Sequence, residues 1–165
     1  MHSFDLRFST VFSDHPWIGV MIGALVVILI AALAHRIGAA VLLRVTRTMP
    51  VLHHVALSIR RPARLVLPLF GLQLLWQASG DSLPAIDSVR HVNGVLFIAA
   101  VTWLLMSAVN GVAGGVLSRH SLDVADNLHA RRVQTQAQVL ARTLMGLILV
   151  IGVAVALMTF PGVRQ

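Results

Sequence analysis

Three long runs of uncharged, mostly apolar residues constrain this chain more than any other feature of its sequence. They extend over Trp17–Ala34, Val92–Ser118 and Thr143–Val163. A helix needs about 20 apolar residues to cross roughly 30 Å of hydrocarbon, so each run is long enough to span a membrane. Only 12% of the residues are charged, whereas soluble domains carry roughly 25%. The sequence therefore predicts an all-α, multi-pass membrane protein.

A fourth apolar run, Leu65–Ser79, is shorter and contains Pro68 and Gly71. It is open to three interpretations: a short, Pro-kinked span, a re-entrant segment, or an interfacial helix. The arginines favour a span, because most of them lie in two stretches, His35–Arg64 and Arg119–Arg142. The positive-inside rule places both stretches in the cytoplasm, which requires an even number of spans between them. We therefore predict about four transmembrane helices with the N-terminus outside.

The first run is predicted to be a retained span. Ala32-Leu33-Ala34 resembles a signal-peptide cleavage site, but the apolar core is longer than about 15 residues and the arginines follow it. The helix is expected to continue past the membrane to Met49-Pro50, because proline disfavours a helical conformation in the residue before it. A separate amphipathic helix, Val51–Arg61, is then expected to stop near Pro62.

Small residues at four-residue spacing predict close helix packing, although such spacing also arises by chance in membrane spans. The residues concerned are Gly19, Gly23, Ser107, Gly111 and Gly115. Arginines that border the spans are candidates for anchoring lipid headgroups, and the alternative is that they only set the topology. These are Arg60, Arg61, Arg64, Arg119, Arg131, Arg132 and Arg142.

No residue pattern predicts catalysis, a metal or a cofactor. The chain has no cysteine and eight histidines, but no pair of histidines has the i, i+4 spacing of a helical metal clamp. Asp123 and Asp126 form a D-x-x-D that could hold Mg²⁺ for lipid phosphoalcohol transfer. A solvated loop explains that pair better. The net charge of +7 is assigned to loops at an anionic membrane surface and not to nucleic-acid binding.

The stretch from Asp126 to Gln165 carries a family resemblance. A polar helix containing QTQAQVLAR leads into an apolar span that ends in ALMTFPGVRQ. This stretch resembles the segment before the pore helix in bacterial mechanosensitive channels of small conductance, the MscS family. The resemblance implies that residues 80–165 form a sensor-paddle helix pair, and that residues 1–79 form a peripheral pair. Phe160, Pro161 and Gly162 would turn the chain toward a pore helix expected just after Gln165.

The resemblance implies a function, a location and partners. The chain would be the tension-sensing part of an inner-membrane channel that releases ions and osmolytes on hypoosmotic shock. Its partners would be membrane lipids and further copies of itself, seven in this family. The family's pore helix and cytoplasmic domain lie outside these 165 residues. The alternative is a small membrane scaffold or accessory subunit that packs through its small-residue faces.

Overall fold

The computed structural model describes residues 16–79, 85–119 and 128–160. These residues form four long α-helices, and a short 3₁₀ turn lies between the first and the second. No strand occurs within these ranges. The all-α prediction is therefore confirmed for the described part of the chain. In chain order the elements are α1 (Pro16–Val45), the 3₁₀ turn (Thr46–Thr48), α2 (Pro50–Ala78), α3 (Ile86–Arg119) and α4 (Leu128–Met158).

Among the described residues, three helical segments are long and apolar enough to cross a membrane. They are Trp17–Thr48, Ile86–Ser118 and Gln134–Met158, and each includes most of one predicted apolar run. The helix α2 does not qualify as they do, because Arg60, Arg61 and Arg64 interrupt its middle. Its apolar part begins only at Leu65. The fold thus defines a helical membrane protein, and the fourth span remains a prediction.

The junction between α1 and α2 lies where the sequence places it. The helix α1 continues beyond its apolar run to Val45, and the buried Thr46 then opens the 3₁₀ turn. Its Oγ1 donates a hydrogen bond to the Leu42 carbonyl at 2.7 Å. Met49 is extended, and Pro50 is the first residue of α2. Proline suits this position, because its missing N–H would have no partner in a first helical turn.

The expectation that a helix stops near Pro62 is wrong. The helix α2 runs without a break from Pro50 to Ala78 and contains both Pro62 and Pro68. An internal proline removes one backbone hydrogen bond and crowds the preceding turn. Such prolines are nevertheless tolerated in membrane helices where neighbouring helices support the backbone. Pro62 is less than 2% exposed, and α2 is packed between α1 and α3.

Consecutive helices pack against each other, and the described residues contain no other helix–helix contacts. The helix α2 contacts α1 and α3, whereas α4 contacts α3 alone. Few apolar side chains are buried, and most of those are alanine: Ala31, Ala56, Ile86, Ala100 and Ala141. Long apolar side chains instead cover the outer surface. This distribution suits a lipid solvent, in which apolar side chains gain little from burial and small residues form the helix contacts.

Candidate functional site

The closest helix approach lies between α2 and α3, at two glycines. A Cβ atom added at Gly115 would lie 2.5 Å from Cα of Val51, and one added at Gly111 would lie 2.6 Å from Cα of Val55. Both obstacles are backbone atoms, so neither glycine can take a side chain without a shift of one helix. Such contact allows strong dispersion attraction between backbones. Ser107 lies one turn before Gly111 and is half-buried.

A buried polar pair continues this contact toward the other end of the two helices. Asn93 of α3 is 6% exposed. Its Nδ2 donates hydrogen bonds to Oε1 of Gln73 at 2.7 Å and to the carbonyl of Leu69 at 3.2 Å, both on α2. Phe70 and Phe97 also meet across this contact, with ring centroids 5.9 Å apart. The two helices are therefore antiparallel and joined over most of the length of α2.

Arg90 of α3 stabilises the C-terminal end of α2. Its Nε donates to the carbonyl of Trp76 at 2.8 Å, and one terminal nitrogen donates to the carbonyl of Ser79 at 2.7 Å. The other terminal nitrogen lies 3.3 Å from the exposed carboxylate of Asp87. The last carbonyls of a helix lack intrahelical partners and carry partial negative charge, so a cation is favourable here. Arg90 lies outside the two Arg-rich stretches, and the sequence predicted no role for it.

The helices α1 and α2 meet at two glycines, one on each helix. A Cβ atom at Gly23 would lie 3.3 Å from Cδ1 of Leu75, and one at Gly71 would lie 2.6 Å from Cγ1 of Val27. Four residues forward on α1 correspond to four residues backward on α2, as antiparallel packing requires. Gly19 is half-buried one turn before Gly23. The sequence placed Gly71 only within the short fourth apolar run and did not predict this packing contact.

The contact between α3 and α4 is smaller than the contact between α2 and α3. A Cβ atom at Gly152 would overlap Thr102, whose Cγ2 would be only 2.7 Å away. An apolar groove of about 260 Å³ lies beside this contact, with Ile98 and Ile148 on its two walls. Near the end of α4, the ring of Phe160 meets that of His91 edge to face at 4.7 Å. Gly152 carried no prediction, although Ala156 follows it at four-residue spacing.

The rest of α4 is exposed. Leu147 and Ile151 are more than half exposed, and Val150 is 66% exposed. Ala141 is the one buried apolar residue of the described side chains on this helix. The side chains face away from the rest of the described chain, so lipid or another protein must cover them in a membrane.

The predicted anchoring arginines differ in how far the structure describes them. Arg60, Arg61, Arg64 and Arg142 are exposed, and the described residues give them no ion pair. The side chains of Arg119, Arg131 and Arg132 lie outside the described part, although their backbones belong to α3 and α4. Pro161 and Gly162 also lie outside it. Phe160 is exposed just beyond the last turn of α4.

The described residues contain no group of three side chains able to hold a metal ion. His53 is the one side chain among them with a buried nitrogen that lacks a hydrogen-bond partner, at Nδ1. Its neighbour His54 places Nδ1 2.9 Å from the Pro50 carbonyl and faces Gly114. Asp123 and Asp126 lie outside the described residues.

Comparison with known proteins adds no relative to this picture. No family model, no curated protein and no solved structure matches the chain significantly. The described residues themselves define the class, a helical membrane protein, and three of their helices are long and apolar enough to span a bilayer.

Proposed function

We propose that this chain is the tension-sensing transmembrane portion of a mechanosensitive channel similar to the MscS family, located in a bacterial inner membrane. The observation that carries the proposal is the form of α4. Within the segment with the family resemblance, Leu128–Met158 is a single helix that joins a polar start, including the exposed Gln134 and Gln138, to an apolar span. Within the described residues it contacts only α3.

Four spans are part of the proposal. The apolar half of α2 lies beside the first apolar run through the Gly23–Leu75 and Val27–Gly71 contacts. On its other side it meets α3 through Gln73 and Asn93. A segment held between two spans at this level shares their depth. The positive-inside rule then places the Arg-rich stretches in the cytoplasm and the N-terminus outside.

The proposed mechanism uses the exposed surface of α4 and its contact with α3. Membrane tension favours the state that occupies more area, so a helix that moves outward with its lipid shell contributes to opening. The helix α4 has an extensive lipid-accessible surface and a narrow contact with α3 at Gly152 and Thr102. The helix α1 is exposed to a similar extent and contacts only α2 and the 3₁₀ turn, so the family resemblance of α4 is what assigns α3 and α4 to the sensor paddle, and α1 and α2 to the peripheral pair.

Arginines at the cytoplasmic ends would hold this paddle at the headgroups. Arg142 is exposed and directly precedes the uncharged run that begins at Thr143. Long arginine side chains reach the interface while their stems remain on apolar surface. Further copies of the chain would assemble largely through the pore helix and cytoplasmic domain, as in the family's heptameric rings, and would leave the exposed face of α4 to lipid.

The alternative, a scaffold that binds partners through its small residues, receives less support. Gly111 and Gly115 are covered by Val51 and Val55 of the same chain. They are therefore not available to a helix of another protein unless α2 leaves. The exposed apolar surface that remains belongs mainly to α1 and α4, and a scaffold would have to use the exposed Ala34 and Gly38 of α1, a small-residue pair that carried no prediction.

Two measurements test the proposal. The reading frame past the codon for Gln165 is expected to encode about 20 Gly/Ala-rich residues, enough for one pore helix, followed by a β-rich soluble domain. Patch-clamp recording of the complete channel then compares Gly152→Val with Gly146→Val, its control on the same helix. A Cβ at Gly146 has nothing within 4 Å.

We expect Gly152→Val to change the tension threshold, because it forces α3 and α4 apart. Gly146→Val should leave the threshold close to that of the wild type. A complete protein without tension-gated current would overturn the proposal. Equal thresholds for both variants would remove the α3–α4 contact from the mechanism.

A further inference from the structure

An open groove of about 580 Å³ lies where the end of α1 and the 3₁₀ turn meet α2. Three arginines from three different elements line it, Arg44 of α1, Arg47 of the turn and Arg60 of α2. The rest of the lining is apolar and comes from Ala40, Val41 and Leu43. Sequence reasoning had grouped Arg60 with Arg61 and Arg64, its neighbours along the chain, and had not joined it to Arg44 and Arg47.

The three guanidinium groups have no counter-charge in the described part of the chain. The one carboxylate among the described side chains is Asp87, and it lies beside Arg90. Like charges gathered in one groove repel each other, and the repulsion is stronger where the surroundings are less polar than water. An anion bound among the three would remove that repulsion.

The surroundings of the groove indicate what kind of anion fits. Val41 is 55% exposed, and Ile37 and Val45 on the same helix end are also exposed. Exposed aliphatic side chains next to arginines are typical of a membrane interface, where hydrocarbon and headgroups meet. A free ion would leave the aliphatic lining in contact with water. A ligand with a phosphate and a hydrocarbon chain would cover both parts of the groove.

We propose that this groove binds an anionic phospholipid, with its phosphate among Arg44, Arg47 and Arg60 and an acyl chain along Ala40, Val41 and Leu43. Guanidinium groups suit this ligand because they donate paired hydrogen bonds to phosphate oxygens. The bound lipid links α1 to α2 at their cytoplasmic end. The inference concerns binding alone and does not depend on the proposed channel function.

The test is native mass spectrometry of the purified, delipidated protein in detergent, titrated with phosphatidylglycerol or with phosphatidylcholine. Arg44→Gln, Arg47→Gln and Arg60→Gln are each compared with Arg36→Gln. Arg36 is equally exposed on α1 but does not line the groove, so it controls for the loss of one charge. We expect the wild type to prefer phosphatidylglycerol. Each groove variant should bind it roughly fivefold more weakly or worse, whereas Arg36→Gln should bind it as the wild type does.

A second pair of variants keeps every charge and changes only the space. Ala40→Trp fills the apolar lining of the groove, and Ala34→Trp adds the same bulk at an exposed position of α1 outside it. We expect Ala40→Trp to lose the preference for phosphatidylglycerol and Ala34→Trp to keep it. Circular dichroism confirms that each variant is folded.

Three outcomes would overturn the proposal. Equal weakening by Arg36→Gln and the groove variants would show general attraction of anionic lipid to positive charge. If Ala40→Trp kept the preference for phosphatidylglycerol, no acyl chain would occupy the groove. Displacement of phosphatidylglycerol by millimolar inorganic phosphate alone would identify a site for free phosphate. The three results are independent of any tension-gated current, so a failed channel proposal leaves them interpretable.

Discussion

Nδ2 of Asn93 on α3 lies 2.7 Å from Oε1 of Gln73 on α2. The pair is partly buried, and Asn93 also reaches the Leu69 carbonyl. Hydrocarbon offers no competing hydrogen-bond partners, so a pair of amides favours one register between two helix faces that are otherwise apolar. The pair therefore fixes how α2 and α3 align along their length, while the glycines at the other end set how closely they approach.

A double-mutant cycle on Asn93→Leu and Gln73→Leu is expected to give a coupling free energy of about 0.6 kcal/mol, with roughly 1.7 kcal/mol as the upper end for hydrogen bonds between membrane helices. The measurement is the free energy of unfolding in mixed micelles titrated with SDS. Asn110→Leu is the control, because Asn110 is exposed on the same helix. Additive effects of the two substitutions would show that the pair does not couple the helices.

Gly115→Ala is expected to destabilise the fold by about 1–3 kcal/mol, the usual range for overpacking a tight contact. The added methyl group would meet the Cα of Val51, and backbone cannot rotate away as a side chain can. Gly94→Ala on the same helix is the control, since a Cβ there has nothing within 4 Å. That variant should be unchanged or up to about 1 kcal/mol more stable, because alanine favours helix over glycine.

If both glycine variants unfolded at the same SDS fraction, the approach of α2 and α3 at Gly115 would be looser than the structure shows. Disulfide crosslinking between cysteines placed at His54 and Gly114, where a Cβ would lie 3.7 Å from the His54 ring, would then report the separation without filling the tight contact.

Arg90→Gln is expected to loosen the last turn of α2 and to lower the free energy of unfolding by about 2 kcal/mol, since hydrogen bonds to charged groups contribute roughly 1.5–3 kcal/mol. Hydrogen exchange at the amides of Ala78 and Ser79 should accelerate most, because their turn loses its donor at the Trp76 and Ser79 carbonyls. Asp87→Asn removes only an exposed partner and should change exchange little. Comparable acceleration in both variants would assign the effect to the ion pair.

Ala85→Gly is expected to stabilise the protein by about 1 kcal/mol. Ala85 directly precedes α3 and has a positive φ of 63°, and a left-handed conformation costs a residue with a Cβ roughly 1–2 kcal/mol. Ala99→Gly, at an exposed position inside the same helix, should instead destabilise by about 1 kcal/mol. Thermal unfolding followed by circular dichroism measures both, and the same sign for the two variants would contradict the conformation of Ala85.

Hydropathy and the positions of Met49-Pro50 were enough to predict the three long apolar helices and the break after α1. They were not enough for α2, because a proline is read locally as a helix stop, whereas Pro62 lies in a helix supported from two sides. Support of this kind comes from neighbours distant in sequence and leaves no local signal.

The contacts show the same limit. A four-residue repeat drew attention to Gly111 and Gly115, but it did not indicate that α2 lies against them. Gly71 and Gly152 were not singled out as packing residues, and only their contacts with Val27 and Thr102 distinguish them from Gly146 or Gly94. The groove at Arg44, Arg47 and Arg60 needs α2 folded back on α1, which no stretch of sequence contains.

Within the described residues, α1 touches only α2 and the 3₁₀ turn, while α4 touches only α3. The three contacts between consecutive helices are therefore arranged in series. A force applied to α1 reaches α4 only by passing through all three helix contacts, so the compliances of these contacts add. The most compliant contact then sets the stiffness of the whole assembly, however rigid the α2–α3 contact is. Stiffening that central contact further would leave the response almost unchanged, whereas small changes at Gly152 or Gly71 would alter it.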